Sequence, residues 1–150
     1  MHIAPALPHD IPHIAALYDD AIRFQREGGH PFWKDLDLSV VEADIAAGSQ
    51  RLLVLEGEIA GIFSFCPPSA LDEDLWQGRS PRAARYVNRI IVGRAWKGRR
   101  LFAPMLAWCE QELVRLGLDR LRLDTWAGNA ALVDYYASFG FVPVGVRTSS

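Results

Sequence analysis

The 150-residue sequence predicts an α/β protein in which helices flank a central β-sheet. Segments with the two-residue alternation of strands are interspersed with segments of helical periodicity. Half of the residues are hydrophobic and 23% are charged, a balance that favours a packed core over disorder. At this length, we expect a single domain over residues 1–150.

The first part of the chain is predicted to form a strand followed by two helices. A strand covers residues 2–7, and Asp10 is the expected cap of a helix that ends at the glycine pair 28–29. Ser39 is the expected cap of a second, weaker helix over residues 40–47. The apolar residues of the first helix recur on one face, which predicts that this face packs on the sheet.

A hairpin and a further strand are predicted in the middle of the chain. Residues 51–55 and 59–65 are strand-like, mostly apolar segments on either side of Gly57, and they are predicted to form a hairpin. Residues 67–84 are rich in Pro, Ser, Gly and charged side chains, which indicates a long loop. Long loops in compact domains often carry function. A strand over residues 86–92 follows.

The C-terminal part is predicted to alternate helix and strand. A helix covers residues 100–116, and a strand over residues 120–126 follows it. Asn129 is the expected cap of a short helix that Gly140 ends, and residues 141–146 form a last strand.

Composition excludes several classes of function. The net charge of −2, with no basic cluster larger than residues 97–100, argues against nucleic acid as the main partner. Cys66 and Cys109 lie in apolar surroundings, which predicts buried, reduced thiols in a cytoplasmic protein. No apolar run approaches the length of a membrane span. His9 and His13 have no evident third ligand, so no metal site is expected.

The C-terminal helix carries a motif with a specific spacing. An Asn is followed by an apolar residue three positions on, a Tyr seven on and Gly-Phe eleven and twelve on: Asn129, Leu132, Tyr136, Gly140 and Phe141. This motif resembles the last motif of the GNAT superfamily of acetyl-CoA-dependent N-acetyltransferases. The resemblance implies a mixed, mostly antiparallel sheet with a V-shaped split between strands 4 and 5. It also implies transfer of an acetyl group from acetyl-CoA to a primary amine of a small molecule or peptide, without a metal.

The resemblance also identifies a cofactor loop between the fourth strand and the third helix. Lys97 stands at the family's Gln/Arg position, but Arg100 and Phe102 stand where Gly and Gly or Ala are expected. The cations of this loop could offset the crowding of the pyrophosphate by charge-assisted contacts. The residues expected to contact the cofactor are Ile90, Ile91, Val92, Lys97, Gly98, Arg99, Arg100, Leu101, Phe102 and Asn129. Capping alone also accounts for Asn129.

By the same resemblance, Tyr136 is expected to protonate the departing thiolate, because a phenol is neutral at physiological pH. A core tyrosine beside Phe139 is the alternative interpretation. The sequence does not identify a general base. The residues expected to contact the acceptor are Phe24, Glu27, Trp33, Tyr86 and Asn88.

Two alternatives to this activity remain open. The altered cofactor loop also suits a catalytically weak or inactive GNAT-like module that holds a CoA ester or serves in assembly, and a different acyl donor is compatible with the same fold.

The family's usual seventh strand has no counterpart after residues 141–146. Either the last strand closes against the fifth strand, or it leaves an unpaired edge that recruits another strand, so a homodimer through this strand is a further prediction.

Overall fold

The computed structural model describes residues 1–27, 37–67, 84–123 and 130–142. In chain order, its elements are β1 (His2–Pro5), α1 (Ile11–Glu27), α2 (Leu38–Ala46), β2 (Gln50–Leu55), β3 (Glu58–Cys66), β4 (Ala84–Val92), α3 (Phe102–Leu116), β5 (Arg120–Arg122) and α4 (Ala130–Ala137). Short 3-10 turns at Pro8–Asp10 and Arg94–Trp96 precede α1 and follow β4. The predicted α/β class is confirmed.

The five strands form one sheet in the order β1-β2-β3-β4-β5. Neighbouring strands are antiparallel except β4 and β5, which are parallel. Arg120–Arg122 pair only with the first residues of β4, from Ala84 to Tyr86. β4 itself runs on to Val92, and the V-shaped split predicted between the fourth and fifth strands stays a prediction, because residues 124–129 lie outside the described residues.

Each face of the sheet buries its own apolar cluster. On one face, Ile14 and Tyr18 of α1 and Val41 of α2 pack on Leu52 and Ile62. The opposite face carries the larger cluster, in which α3 and α4 cover Leu53, Phe63 and Val87. Because successive strand residues face opposite sides, the adjacent pairs 52–53 and 62–63 supply both layers.

The hairpin of β2 and β3 is confirmed, and its turn has a clear physical reason. Glu56 and Gly57 both adopt positive φ values, 54° and 78°. Two such residues form the turn whose twist matches that of paired strands.

Three predicted helix starts are corrected by the structure. The carboxylate of Asp10 accepts a hydrogen bond from the N–H of Leu7, upstream, so this residue closes the 3-10 turn before α1. Asp37, not Ser39, caps α2, because its carboxylate accepts the N–H of Ser39 at 2.9 Å. The predicted helix at 100–116 begins at Phe102, since Arg100 has a φ of 53°, outside the helical range.

Several predictions fall outside the described residues. They concern most of the predicted loop 67–84, the end of the predicted strand 120–126, and Asn129. Phe141 and Val142 belong to no strand, and the remainder of the predicted last strand also lies outside. The dimer through that strand therefore stays a prediction.

Candidate active site

Strand β4 is interrupted by a β-bulge. Ile62 pairs with Ile91 but Ser64 pairs with Asn88, so β4 carries one residue more than β3 over this stretch. Arg89 within it has a φ of 51°. A bulge re-aims the residues that follow it, and bulges are common beside active sites.

The bulge lies immediately before the three β4 residues expected to meet the acyl group. The side chains of Ile90 and Val92 pack on the α3 side of the sheet, whereas Ile91 is buried on the α1 side. Their side chains therefore pack in the core, and the groups that they can present to a ligand are their backbone N–H and C=O groups. That this backbone meets the acyl group stays a prediction.

The loop that joins β4 to α3 keeps a glycine-like backbone although an arginine replaces a glycine. Gly98 has a φ of 86° and Arg100 a φ of 53°. Leu101, next in the chain, is right-handed, with φ −70° and ψ −8°. Successive left- and right-handed residues turn neighbouring N–H groups into a concave surface that suits an anion.

Bulky residues at the start of α3 do not crowd the exposed part of this loop. Leu101 and Phe102 are buried, the latter at 1% exposure within the α3 core. Lys97, Gly98 and Arg99 are exposed, as is Arg100. The exposed segment 97–100 of this loop thus consists of three cationic side chains and a glycine.

One end of the loop is attached to α1. The Lys97 Nζ lies 3.9 Å from the centre of the Phe24 ring, and the Arg94 guanidinium lies 5.3 Å from the same ring. Arg94 also forms ion pairs with Asp20 at 3.1 Å and Glu27 at 3.7 Å. Partial burial, with the charge of Arg94 adding to it, lowers the pKa of Lys97.

The other end of the loop is attached to α4. The Arg100 guanidinium lies 4.4 Å from the centre of the Phe139 ring, and its Nη2 donates to the Ser138 Oγ at 3.3 Å. Ser138 in turn donates to the carbonyl of Tyr135. Loop and C-terminal motif, which lie far apart in the sequence, are therefore in direct contact.

Tyr136 lies in an aromatic cluster at this junction. Its ring meets that of Phe102 edge to face at 5.3 Å and that of Phe141 at 6.5 Å. Burial is the main cause that raises the pKa of Tyr136 to about 12, with a smaller contribution from Tyr135. The phenol therefore stays neutral at physiological pH and can donate a hydrogen bond or a proton.

The residues expected to contact the acceptor are dispersed. Phe24 is exposed beside the cations of the cofactor loop, and Glu27 is paired with Arg94. Tyr86 is fully buried, and its hydroxyl accepts a hydrogen bond from Arg122 at 3.2 Å. Asn88 is half-buried next to the bulge. Trp33 lies outside the described residues.

The sequence analysis did not predict the β-bulge at Arg89. Two polar residues, Asn88 and Arg89, interrupt the apolar strand, and the adjacent pair Ile90-Ile91 breaks its alternation. This break was the available signal for a bulge.

Neither of the two cysteines forms a disulfide. Cys109 is fully buried, and burial raises its pKa to about 12. Cys66 is only half-buried, contrary to expectation, because it lies at the end of β3, where the Arg89 Nη2 is 3.9 Å from its Sγ.

Within the four described ranges, no helix is both long and apolar enough to cross a bilayer. The same residues contain no cluster of three His, Cys, Asp or Glu side chains suited to a metal ion.

Known proteins share this fold and sequence pattern. The uncharacterized N-acetyltransferase YesJ of Bacillus subtilis (strain 168) is 27% identical over 153 residues, covering 99% of this chain and 85% of YesJ. The crystal structure of a GNAT family acetyltransferase from Listeria monocytogenes 4b F2365 superposes with a TM-score of 0.86 at 29% identity, covering 99% of this chain and 90% of that one. A ribosomal-protein-alanine N-acetyltransferase from Brucella melitensis shares the fold, with a TM-score of 0.70 at 23% identity, covering 97% of this chain and 86% of that one.

Fold and site together define an acyltransferase. Residues 14–141 match the Acetyltransferase (GNAT) family, and the chain belongs to that family.

Proposed function

We propose that this protein transfers the acetyl group of acetyl-CoA to a primary amine of a small molecule or peptide by direct attack. The amine nitrogen bonds to the thioester carbon as the carbon–sulfur bond breaks. The amine loses a proton, and the thiolate of CoA gains one. A single domain over residues 1–150 carries the whole reaction in this proposal.

One observation carries the proposal: Arg100 adopts a left-handed backbone, the conformation that glycine favours, at the position where the family motif has glycine. A left-handed conformation is costly for a residue with a Cβ and persists where the surroundings demand it. The backbone shape suited to a pyrophosphate is therefore retained despite the substitution. This argues for cofactor binding and against a module that has lost it.

In this proposal, the pyrophosphate lies against the N–H groups from Gly98 to Phe102. The start of α3 adds free N–H donors and a favourable dipole. Lys97, Arg99 and Arg100 supply positive charge, and Arg100 can exchange the neutral Ser138 hydroxyl for a phosphate oxygen. Asn129 completes the cofactor contacts from the start of α4.

The acyl group lies in the V-shaped opening. The N–H groups of Ile90, Ile91 and Val92 orient the thioester carbonyl, because the bulge before them disrupts the regular ladder. Tyr136 donates its proton to the departing sulfur. The phenol is neutral at physiological pH, as this role requires, and burial raises its pKa further.

The acceptor amine approaches from the side of α1 and the start of β4. Phe24, Glu27, Trp33, Tyr86 and Asn88 are the proposed acceptor contacts, of which Phe24 is exposed and Asn88 half-buried in the described structure. Deprotonation through water removes the need for a dedicated base. This fits a site in which Glu27 already pairs with Arg94.

Ligand binding and product formation test the proposal separately. Thermal unfolding with acetyl-CoA, with CoA and without ligand measures binding, since a ligand at about 100 times its Kd adds about 2.7 kcal/mol of stability. Mass spectrometry then detects acetylated product in a panel of polyamines, amino acid amides and short peptides. No shift at millimolar cofactor would contradict the proposal. Binding without product across the panel would favour the inactive module.

A further inference from the structure

A carboxylate on α2 connects the two strands at the point where β4 bulges. The Oδ2 of Asp44 accepts a hydrogen bond from the Ser64 Oγ of β3 at 3.0 Å, and it also forms an ion pair with the guanidinium of Arg89. Ser64 pairs with Asn88, directly before the bulge. One oxygen atom of Asp44 thus contacts a side chain from each of the two strands, β3 and β4, at the bulge.

The bulge needs such support because its backbone is unfavourable. Arg89 has a φ of 51°, and the left-handed conformation is unfavourable for a residue with a Cβ. A residue of this kind persists only where the surrounding structure over-determines its position. The ion pair with Asp44 is the strongest described contact of the Arg89 side chain.

The surroundings make this ion pair stronger than one on the surface. The side chain of Asp44 is 16% exposed and that of Arg89 is 30% exposed, so solvent screens the pair only partly. Burial is the largest single influence on the pKa of Arg89 and acts to lower it, but the charge and hydrogen bond of Asp44, together with Tyr18 and Cys66, raise this pKa overall. Nearby, the fully buried Gln50 donates to the carbonyl of Phe63, the β3 residue opposite the bulge.

We propose that Asp44 is a positioning residue that fixes the β4 bulge through Arg89 and Ser64. It thereby sets the position of the N–H groups that receive the thioester carbonyl. This inference rests on the proposed function, because it concerns the same acyl site. Asp44 does not touch the cofactor in this scheme, and its effect reaches the site through the β4 backbone.

The affinities for acetyl-CoA and for CoA give a readout specific to this role. Both molecules carry the pyrophosphate, but only acetyl-CoA carries the thioester carbonyl. We expect Asp44→Asn to weaken acetyl-CoA binding about fivefold relative to CoA, the loss of about one neutral hydrogen bond. Calorimetric titration of the full chain with each molecule measures the ratio.

Glu112→Gln is the matched control. Glu112 also binds a guanidinium, that of Arg115 at 2.9 Å, but on the exposed side of α3. The control should leave both affinities unchanged. Ser64→Ala keeps the ion pair and removes the hydroxyl that lies 3.0 Å from Asp44 Oδ2 and 3.4 Å from Gln50 Oε1. It should therefore reduce the ratio less, and it carries the test if Asp44→Asn does not fold.

The outcomes separate the two proposals. A selective loss for acetyl-CoA in the Asp44 or Ser64 variant supports the positioning role. Equal losses for both molecules, or no loss, overturn it while leaving the proposed function intact. Failure of the wild-type protein to bind either molecule overturns the proposed function itself.

Discussion

Tyr136 combines a core position with the chemistry expected of a proton donor. Its ring packs against Phe102, and burial raises its pKa to about 12. The phenol is neutral at physiological pH even at its ordinary pKa, and the burial that raises this pKa makes it a weaker acid. Full proton transfer to a thiolate is then uphill, and a hydrogen bond that strengthens as charge develops on sulfur becomes the larger part of its contribution.

Tyr136→Phe should lower kcat at least about tenfold and leave acetyl-CoA affinity within a few-fold, because the ring keeps its packing while the donor is lost. Steady-state kinetics with the best amine of the panel, and calorimetric titration, measure the two effects. Tyr135→Phe, one residue away, is the control and should retain turnover. Wild-type turnover in the Tyr136 variant, with chemistry rate-limiting, would assign this residue to the core alone.

Charge reversal in the cofactor loop tests the phosphate contacts. Lys97→Glu with Arg100→Glu should weaken CoA binding at least about tenfold at low salt, since two charge-assisted contacts become repulsions. The difference should shrink as salt is added. The control, Arg23→Glu with Arg115→Glu, makes the same change in net charge elsewhere on exposed helix positions. Equal CoA affinity in the two double variants would contradict a contact of Lys97 and Arg100 with the phosphates of CoA.

At the scale of elements, the close approach of β3 to β4 and α3 depends on a glycine. A Cβ on Gly61 would lie 2.8 Å from the carbonyl oxygen of Ile91 and 2.8 Å from the Cε of Met105. The methionine can move, but the backbone oxygen belongs to the stretch beside the bulge. The sheet therefore requires a residue without a side chain at this position.

Gly61→Ala should destabilise the protein by about 1–3 kcal/mol, because overpacking against backbone cannot relax cheaply. Urea unfolding measures the loss. Gly93→Ala is the matched control: its φ is −61° and its Cβ would meet neighbours at 3.4 Å or more, so a smaller change is expected. Equal stability of both variants would show that β4 shifts freely.

For the whole molecule, three buried groups link stability to alkaline pH. Burial is the main cause that raises the pKa values of Tyr18, Tyr136 and Cys109 to about 12, from ordinary values of 10.0 for tyrosine and 9.0 for cysteine. The folded protein therefore holds protons that the unfolded chain releases. Their contribution to stability is fully present below about pH 9 and is lost as the pH rises towards 12.

Tyr18→Phe should reduce this alkaline loss. One raised tyrosine accounts for up to about 1.4 kcal/mol of unfolding free energy per pH unit above pH 10. Denaturant unfolding at pH 8 and pH 11 gives the difference for the variant and the wild type. If both proteins lose the same free energy over this interval, the raised pKa of Tyr18 has no part in stability.

Local sequence patterns determined the order and type of the elements. The hairpin, the order from β1 to α4 and the left-handed glycine after α3 all depend on residues within a few positions of one another. Helix starts were less well predicted, because neighbouring polar residues such as Asp37 and Ser39 compete for the same cap. The C-terminal motif indicated the family because its residues lie close together in the sequence, within positions 129–141.

The tertiary structure alone decided the geometry of the acyl site. Val87 and Ile91, four residues apart, would share a face in a regular strand, yet they pack in opposite layers because the bulge at Arg89 inserts one residue. The contacts that hold this bulge come from α2 and β3, elements far away in the sequence. Strand periodicity is local and can be read from the sequence, whereas the position of a bulge depends on long-range contacts that exist only in the folded protein.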